Sequence, residues 1–97
     1  MKYVPYMKIN EMEVMHSIPY KGDEAFKDGN GGDVYVYFEK GDPIFFFKTA
    51  IIDLNKLIVI KREGFTDDEI KWMINFCRNN SEIIFEMIKY GGVMNYA

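Results

Sequence analysis

Cysteine, histidine and proline are scarce in this chain. Its 97 residues include one cysteine, one histidine and three prolines. A single cysteine cannot form an internal disulfide, which excludes a disulfide-stabilised scaffold and a zinc site built from cysteines. With a single histidine the chain has few candidates for acid–base catalysis, which usually pairs an imidazole with a serine, cysteine or carboxylate.

Long apolar runs are also missing. Lys2, Pro5 and Lys8 interrupt the first ten residues, so they contain no signal-peptide core. No segment approaches the roughly eighteen apolar residues of a membrane span. The sequence therefore predicts a cytoplasmic protein with no membrane partner.

Charge of one sign is not concentrated anywhere in the chain. The net charge is −3; residues 1–33 carry four Lys and six acidic residues, and residues 61–97 carry five Lys or Arg and six acidic residues. Nucleic-acid binders cluster Lys and Arg because phosphate neutralisation supplies much of their affinity. Direct nucleic-acid binding is therefore not expected, and a charge of −3 does not support an acidic mimic of nucleic acid.

What the chain does contain predicts one α+β domain over residues 1–97. A chain of this size with 48% hydrophobic residues cannot be divided into two stable cores. Patterning and turn residues predict N-terminal strands or an arm over residues 1–20, a mobile surface loop over 21–33, a hairpin plus a third strand over 34–61, and a helical region over 66–90. The expected fold is an antiparallel sheet of three to five strands, packed on one face by a C-terminal helix or a kinked helical pair.

Within those ranges the strand candidates are residues 3–9, 13–18, 34–39, 44–49 and 57–61. Pro5 lacks a backbone donor, which predicts an edge strand or an irregular arm for the first of them. Turn chemistry around Asp42 and Pro43 joins 34–39 to 44–49 as an antiparallel hairpin.

The helix has the clearest start signals in the chain. Thr66 and Glu69 are spaced as a capping box, and Phe65 and Ile70 as a hydrophobic staple, so the helix is predicted to begin at Asp67. An apolar stripe at helical spacing follows. Residues 78–81 are polar and predict a kink or a second helix capped by Ser81, and Gly91 predicts the C-terminal end.

Five segments together resemble a family of small bacterial domains of unknown function, often encoded in toxin–antitoxin-like gene pairs. The resemblance covers about residues 28–91 and implies the same hairpin, strand and helical region. In that family a histidine pair enters the first hairpin strand; this chain has Gly32 and Asp33 there, so any chemistry of those histidines is lost. The matching segments are Gly32-Asp33-Val34-Tyr35-Val36-Tyr37, Gly41-Asp42, Ile52-Asp53-Leu54, Gly64-Phe65-Thr66 and Ser81-Glu82-Ile83-Ile84.

The reactive side chains are predicted to have structural roles. His16 and Ser17 are neighbours on a strand and point to opposite faces, so they cannot form a catalytic pair, and His16 is expected to be a surface or partly buried imidazole. Cys77 lies on the apolar face of the helix, where a thiol is inert.

The glycine-rich loop offers weak ligand motifs. Asp28, Asn30, Gly32 and Glu39 fall on positions 1, 3, 5 and 12 of a calcium-loop register, but position 6 is Asp33 instead of glycine and a strand follows. The glycines of residues 29–32 have neither a following helix nor a basic residue to hold a phosphate. No metal and no cofactor are predicted.

The best functional clue is the composition of the hairpin. Val34, Val36 and Phe38 form one strand face and Tyr35 and Tyr37 the other, although a half-solvated strand normally carries polar residues outward. One helix covers only one face, so residues 1–20, a second copy or another protein must cover the second. Tyrosine favours a binding surface.

The leading hypothesis is therefore a non-enzymatic protein-interaction module that regulates or inhibits a larger macromolecular machine, as toxin–antitoxin components and phage-encoded inhibitors do. It would bind through an aromatic sheet face or an exposed strand edge, and acidic residues would steer it to a partner with a basic surface; a homodimer stays open. The alternative is an RNA-directed toxin or ribonuclease using His16 with Lys21, or Arg62 with Glu63. A small-ligand pocket between sheet and helix is a third hypothesis. The residues assigned to protein binding are Tyr35, Tyr37, Phe45, Phe47, Asp23, Glu24 and Asp28.

Overall fold

Five antiparallel strands form one sheet, and a single helix packs across it. The computed structural model describes residues 2–18, 33–44 and 46–89. The strands lie side by side in the order in which they occur along the chain. This arrangement confirms the predicted α+β fold. The elements are β1 (Lys2–Ile9), β2 (Met12–Ile18), β3 (Tyr35–Asp42), β4 (Phe46–Asp53), β5 (Ile58–Glu63) and α1 (Asp67–Lys89).

The N-terminal segment is a full hairpin of the sheet. Asn10 and Glu11 both have positive φ, 51° and 63°, as the two central residues of a type I′ turn require. Pro5 lies on the edge strand β1, as predicted, next to a register shift between Pro5 and Met7. Residues 2–18 therefore extend the sheet sideways and do not cover its second face.

The second hairpin is longer than predicted. β3 continues to Asp42 and β4 runs from Phe46 to Asp53, whereas the sequence predicted 34–39 and 44–49. Ile44 belongs to the turn because its backbone N–H donates to Asp42 Oδ1 at 2.8 Å. Phe45 and almost all of the predicted 21–33 loop lie outside the described residues.

A buried aspartate organises the turn between β4 and β5. Asp53 Oδ1 accepts hydrogen bonds from the N–H groups of Asn55 at 2.8 Å and Lys56 at 2.9 Å. Asn55 Oδ1 in turn accepts from the N–H of Val34 at 2.9 Å. The turn is thereby tied to the start of β3, and β5 begins at Ile58, one residue later than predicted.

The helix begins at Asp67 with the predicted capping box. The N–H of Thr66 donates to Glu69 Oε1 at 2.9 Å, and the N–H of Glu69 donates to Thr66 Oγ1 at 3.2 Å. The hydrogen bond from Thr66 is the main reason that the pKa of Glu69 is lowered. Phe65 and Ile70 are both buried, as a hydrophobic staple requires.

No second helix begins at Ser81, because α1 is one continuous helix to Lys89. Asn80 donates through Nδ2 to the carbonyl of Phe76 at 2.8 Å, and Ser81 donates through Oγ to the carbonyl of Arg78 at 3.0 Å. These side chains bond to the preceding turn of the helix and so do not end it. The predicted ending at Gly91 lies outside the described residues.

The core lies between the helix and one face of the sheet. Phe38 is fully buried and meets Phe76 edge to face, with ring centroids 5.8 Å apart. Cys77 is buried, and burial raises the pKa of its thiol to about 12, which keeps it protonated and unreactive. The principal core residues are Val14, Val36, Phe38, Ala50, Ile52, Ile70, Met73, Cys77, Ile84 and Ile88.

Candidate functional site

The face of the sheet opposite α1 carries tyrosines. Along β3, Val36 and Phe38 are fully buried on the helix side, while Tyr35 and Tyr37 are half-buried on the other side. Cross-strand pairing places Met15 and Ile51 beside Tyr37 on this second face. We call the second-face residues Tyr3, Met15, Tyr35, Tyr37 and Ile51 the tyrosine face.

Tyr3 joins this face from the edge strand. Its ring lies 5.7 Å from the ring of Tyr37, at an interplanar angle of 52°. The residue opposite Tyr3 is Ser17, which is buried and accepts a hydrogen bond from the N–H of Tyr35 at 2.8 Å. A small residue between the two tyrosines leaves room for the Tyr3 ring to reach across β2.

The hydroxyls of Tyr3 and Tyr37 remain protonated at neutral pH, because the pKa of each is raised. Burial raises the pKa of Tyr3, and the neighbouring Tyr35 and Tyr37 raise it further. Burial also raises the pKa of Tyr37, with smaller contributions from Glu39 and Glu63. The phenols can therefore donate hydrogen bonds to a bound partner.

A row of carboxylates borders the tyrosine face. Glu13 and Glu39 are directly opposed on β2 and β3, and Glu39 and Glu63 flank Thr49 on β3, β4 and β5. Like charges directly opposite each other destabilise a sheet. Lys8 lies 4.0 Å from Glu13 and Lys61 lies 3.6 Å from Glu63, both as exposed pairs that offset part of this charge.

The structure brings together only part of the predicted binding set. Tyr35 and Tyr37 share the face, as predicted. Phe47 pairs with Gly41 near the hairpin turn, four residues along β4 from Ile51, which is about 13 Å. Phe47 is thus separate from the tyrosines. Phe45, Asp23, Glu24 and Asp28 lie outside the described residues.

Sequence reasoning missed Tyr3, Met15 and Ile51. Tyr3 meets Tyr37 only because the Asn10–Glu11 turn sets the β1–β2 register and the shift at Pro5 follows it. An alternating pattern in residues 12–18, with a two-residue turn before it, could have placed Met15 on the same face as Tyr37. Tyr3 lies beyond the register shift, so alternation alone could not have placed it.

Strand β5 is an exposed edge next to this face. All six of its residues are exposed, among them Ile58, Val59 and Ile60. Unpaired backbone groups on an apolar edge are a template for another strand. The opposite edge, β1, carries Pro5 and is less suited to pairing.

His16 points to the helix side and is fully buried, whereas the sequence predicted a surface or partly buried imidazole. Its Nδ1 lies 3.0 Å from the carbonyl oxygen of Ser17, so Nδ1 carries the proton and donates. Nε2 is buried and has no hydrogen-bond partner among the described residues. Burial lowers the pKa of His16, and the bond to Ser17 opposes that shift only in part.

We expect His16 to make the fold sensitive to mild acid. In the unfolded chain the imidazole binds a proton near its ordinary pKa of 6.5, whereas in the fold it binds one only at lower pH. The unfolded state then holds more protons, so the free energy of unfolding falls as pH drops below about 6.5. Urea denaturation between about pH 5.5 and 7.5 measures this slope.

His16→Leu is the matched control, because it fills the same core position without a titrating group. The variant should show a flatter dependence of unfolding free energy on pH across this window. Parallel slopes for the wild type and the variant would contradict the assignment.

Arg62 and Glu63 are held by structural contacts. Arg62 donates to the carbonyl of Phe65 at 2.9 Å and lies 2.7 Å from Asp67, which joins β5 to the start of α1. Glu63 pairs with Lys61. In the described part of the chain no three His, Cys, Asp or Glu side chains cluster to hold a metal ion. Of the calcium-loop residues only Glu39 is described, and it lies within β3.

No helix in the described ranges is long and apolar enough to cross a membrane. Comparison with known family models, curated proteins and solved structures gives no match to this chain. The resemblance to toxin–antitoxin-like domains therefore stays a prediction, and function has to be inferred from the surfaces themselves.

Proposed function

We propose that this protein is a small, non-enzymatic protein-interaction module that acts in the cytoplasm as a regulator or inhibitor of a larger macromolecular machine, like a toxin–antitoxin component or a phage-encoded inhibitor. The tyrosine face is its binding surface. The observation that supports this proposal most strongly is that both faces of the sheet are apolar or aromatic, while the described elements pack against only one.

The chemistry of the face suits a protein partner. Tyrosine combines a large apolar contact area with a hydroxyl that can donate a hydrogen bond, which is why it is enriched among residues that dominate binding energy. The Tyr3–Tyr37 contact orders both rings before binding, so less side-chain freedom is lost on association.

Charge adds a preference among partners. Glu13, Glu39 and Glu63 border the tyrosine face, and the acidic residues predicted at 23, 24 and 28 have the same sign. A basic partner surface would relieve the opposed Glu13 and Glu39 charges and associate faster at low salt. The exposed edge of β5 offers a second contact through strand addition.

The ribonuclease alternative receives no support from the described residues. A general base has to reach its substrate, but His16 is buried in the core, and Arg62 is bound to Phe65 and Asp67.

The test is capture of a partner from the native host, followed by affinity measurement with purified proteins. We expect Tyr37→Ser to weaken binding roughly tenfold or more, as loss of a central aromatic contact does. Tyr37→Phe keeps the ring and isolates the contribution of the hydroxyl. Ile83→Ser, on the exposed side of α1, is the control and should bind as the wild type does.

Circular dichroism and thermal melting establish that each variant is folded before its affinity is compared. Recovery of no specific partner, or equal affinity of the Tyr37→Ser and Ile83→Ser variants, would contradict the proposal.

A further inference from the structure

Among the described residues of the β3–β4 turn and the start of β4, three large apolar side chains lie in solvent. Ile44 is 80% exposed, Phe46 82% and Phe47 57%. A cluster of exposed apolar side chains is a mark of an interaction surface. Phe46 also has φ of 64°, a left-handed conformation that is rare for a bulky residue and tends to occur at functional sites.

Two polar groups of this turn, the carboxylate of Asp42 and the N–H of Ile44, are already paired. Asp42 accepts the N–H of Ile44 at 2.8 Å, and the carboxylate of Asp42 lies 3.5 Å from the Lys48 ammonium. The side chains of Asp42 and Lys48 are both largely buried. The turn can therefore enter an apolar environment without leaving this carboxylate or the N–H of Ile44 unpaired.

A pocket of about 230 Å³ lies close to this turn, on the helix side of the sheet. The buried side chains of Met12 and Met73 line it together with the partly exposed Trp72. Its volume is below the roughly 300 Å³ at which pockets for drug-sized ligands begin, which suits a single side chain better. The remaining lining residues are Asn10, Lys40 and Glu69.

The pocket and the exposed Phe46 share one end of the molecule. Lys40 pairs with Met12 and Lys48, and Asp42, the next residue of β3 on that face, pairs with Phe46. Phe46 therefore lies at the end of the sheet that carries the pocket. At 82% exposure, Phe46 does not fill the pocket of its own chain.

We propose that two copies of this chain associate about a two-fold axis, with Phe46 of each copy inserted into the pocket of the other. A two-fold interface is formed by the same patch on both subunits, so that patch must contain both partners of every contact. The turn and the pocket form such a patch. Trp72 offers the incoming ring an aromatic neighbour.

This interface is independent of the proposed function, because the tyrosine face lies on the other side of the sheet. A bilayer or an apolar cleft of an unrelated protein could also accept an apolar turn. Neither of them would require a pocket beside the turn, so the pocket favours a second copy of this chain.

The test uses the full chain at increasing concentration in analytical ultracentrifugation. We expect a reversible dimer for the wild type and for Ile83→Ser, a control on the exposed side of the helix. Phe46→Ser should raise the dissociation constant roughly tenfold or more. Trp72→Ala and Lys40→Phe should also raise the dissociation constant. Trp72→Ala removes one wall of the pocket, and Lys40→Phe fills its entrance. Two pocket variants are used so that the test does not depend on one that fails to fold.

Mixing complementary variants distinguishes this interface from non-specific association. A copy with Lys40→Phe retains its phenylalanine, and a copy with Phe46→Ser retains its pocket, so their mixture can form one of the two contacts. We expect the mixture to contain more dimer than either variant alone.

Trp72 is the sole tryptophan of the chain and reports on the pocket directly. Its emission should shift to shorter wavelength as the wild type dimerises, and should not change with concentration in Phe46→Ser. A wild type that stays monomeric, a Phe46→Ser variant that still dimerises, or a mixture with no added dimer would overturn the proposal. So would Phe46-dependent binding of a monomer to phosphatidylcholine vesicles.

Discussion

Replacing Asp53 by alanine should lower the free energy of unfolding by about 3 kcal/mol, since hydrogen bonds to charged groups contribute roughly 1.5 to 3 kcal/mol each. Asp53 is buried, and its Oδ1 accepts the N–H groups of Asn55 and Lys56. Alanine would leave both N–H groups without this acceptor. It would also loosen Asn55, whose side chain holds the start of β3 at Val34.

Asp53→Asn is the matched control, because its carbonyl oxygen can occupy the position of Oδ1. We expect this variant to retain most of the stability that Asp53→Ala loses, with urea denaturation as the measurement and an unchanged m-value as the check on two-state unfolding. Equal losses in the two variants would show that the acceptor geometry does not stabilise the turn.

Gly64→Ala is expected to destabilise the protein by about 2 to 3 kcal/mol, combining left-handed backbone strain with crowding. Gly64 has φ of 87°, and a Cβ there would lie 2.8 Å from Lys48 Cγ and 3.3 Å from Lys48 Cβ. The glycine turns the chain from β5 into the capping box of α1. The strain would therefore fall on the joint between sheet and helix.

A double-mutant cycle with Lys48→Ala separates the two causes. Removing Lys48 Cγ eliminates the closest clash, so Gly64→Ala should cost less in that background. The remaining cost combines the backbone strain with the contact to the Cβ of residue 48. Thermal and urea unfolding of the four proteins give the coupling energy. An identical cost in both backgrounds would mean that crowding against Lys48 is unimportant.

The features that the sequence predicted are those set by near neighbours in the chain. The capping box needs only Thr66 and Glu69, three residues apart, and both of its hydrogen bonds are present. The two-faced character of β3 follows from alternation alone, so the buried Val36 and Phe38 and the half-buried Tyr35 and Tyr37 could be predicted without knowing any other strand.

The features that the sequence did not predict depend on distant partners or on competing local bonds. The helix continues through residues 78–81, where Asn80 and Ser81 bond to carbonyls one turn back, and a polar run does not indicate these bonds. The Tyr3–Tyr37 contact requires the register of three strands and one shift. The pocket near Trp72 requires the position of the helix on the sheet, which no local pattern specifies.

The order of the strands has a consequence for how the protein folds. Every strand pairs with the strand before or after it in the chain, so each pairing step closes a single loop between neighbours. Loop-closure entropy is then small at every step, and local pairing is associated with fast folding. The longest connection joins β2 to β3. Pairing of β2 with β3 docks the β1–β2 hairpin onto the rest of the sheet, and this step closes the longest loop. We therefore expect this sheet to fold faster than sandwiches of similar size, with docking of the N-terminal hairpin as its slowest pairing step.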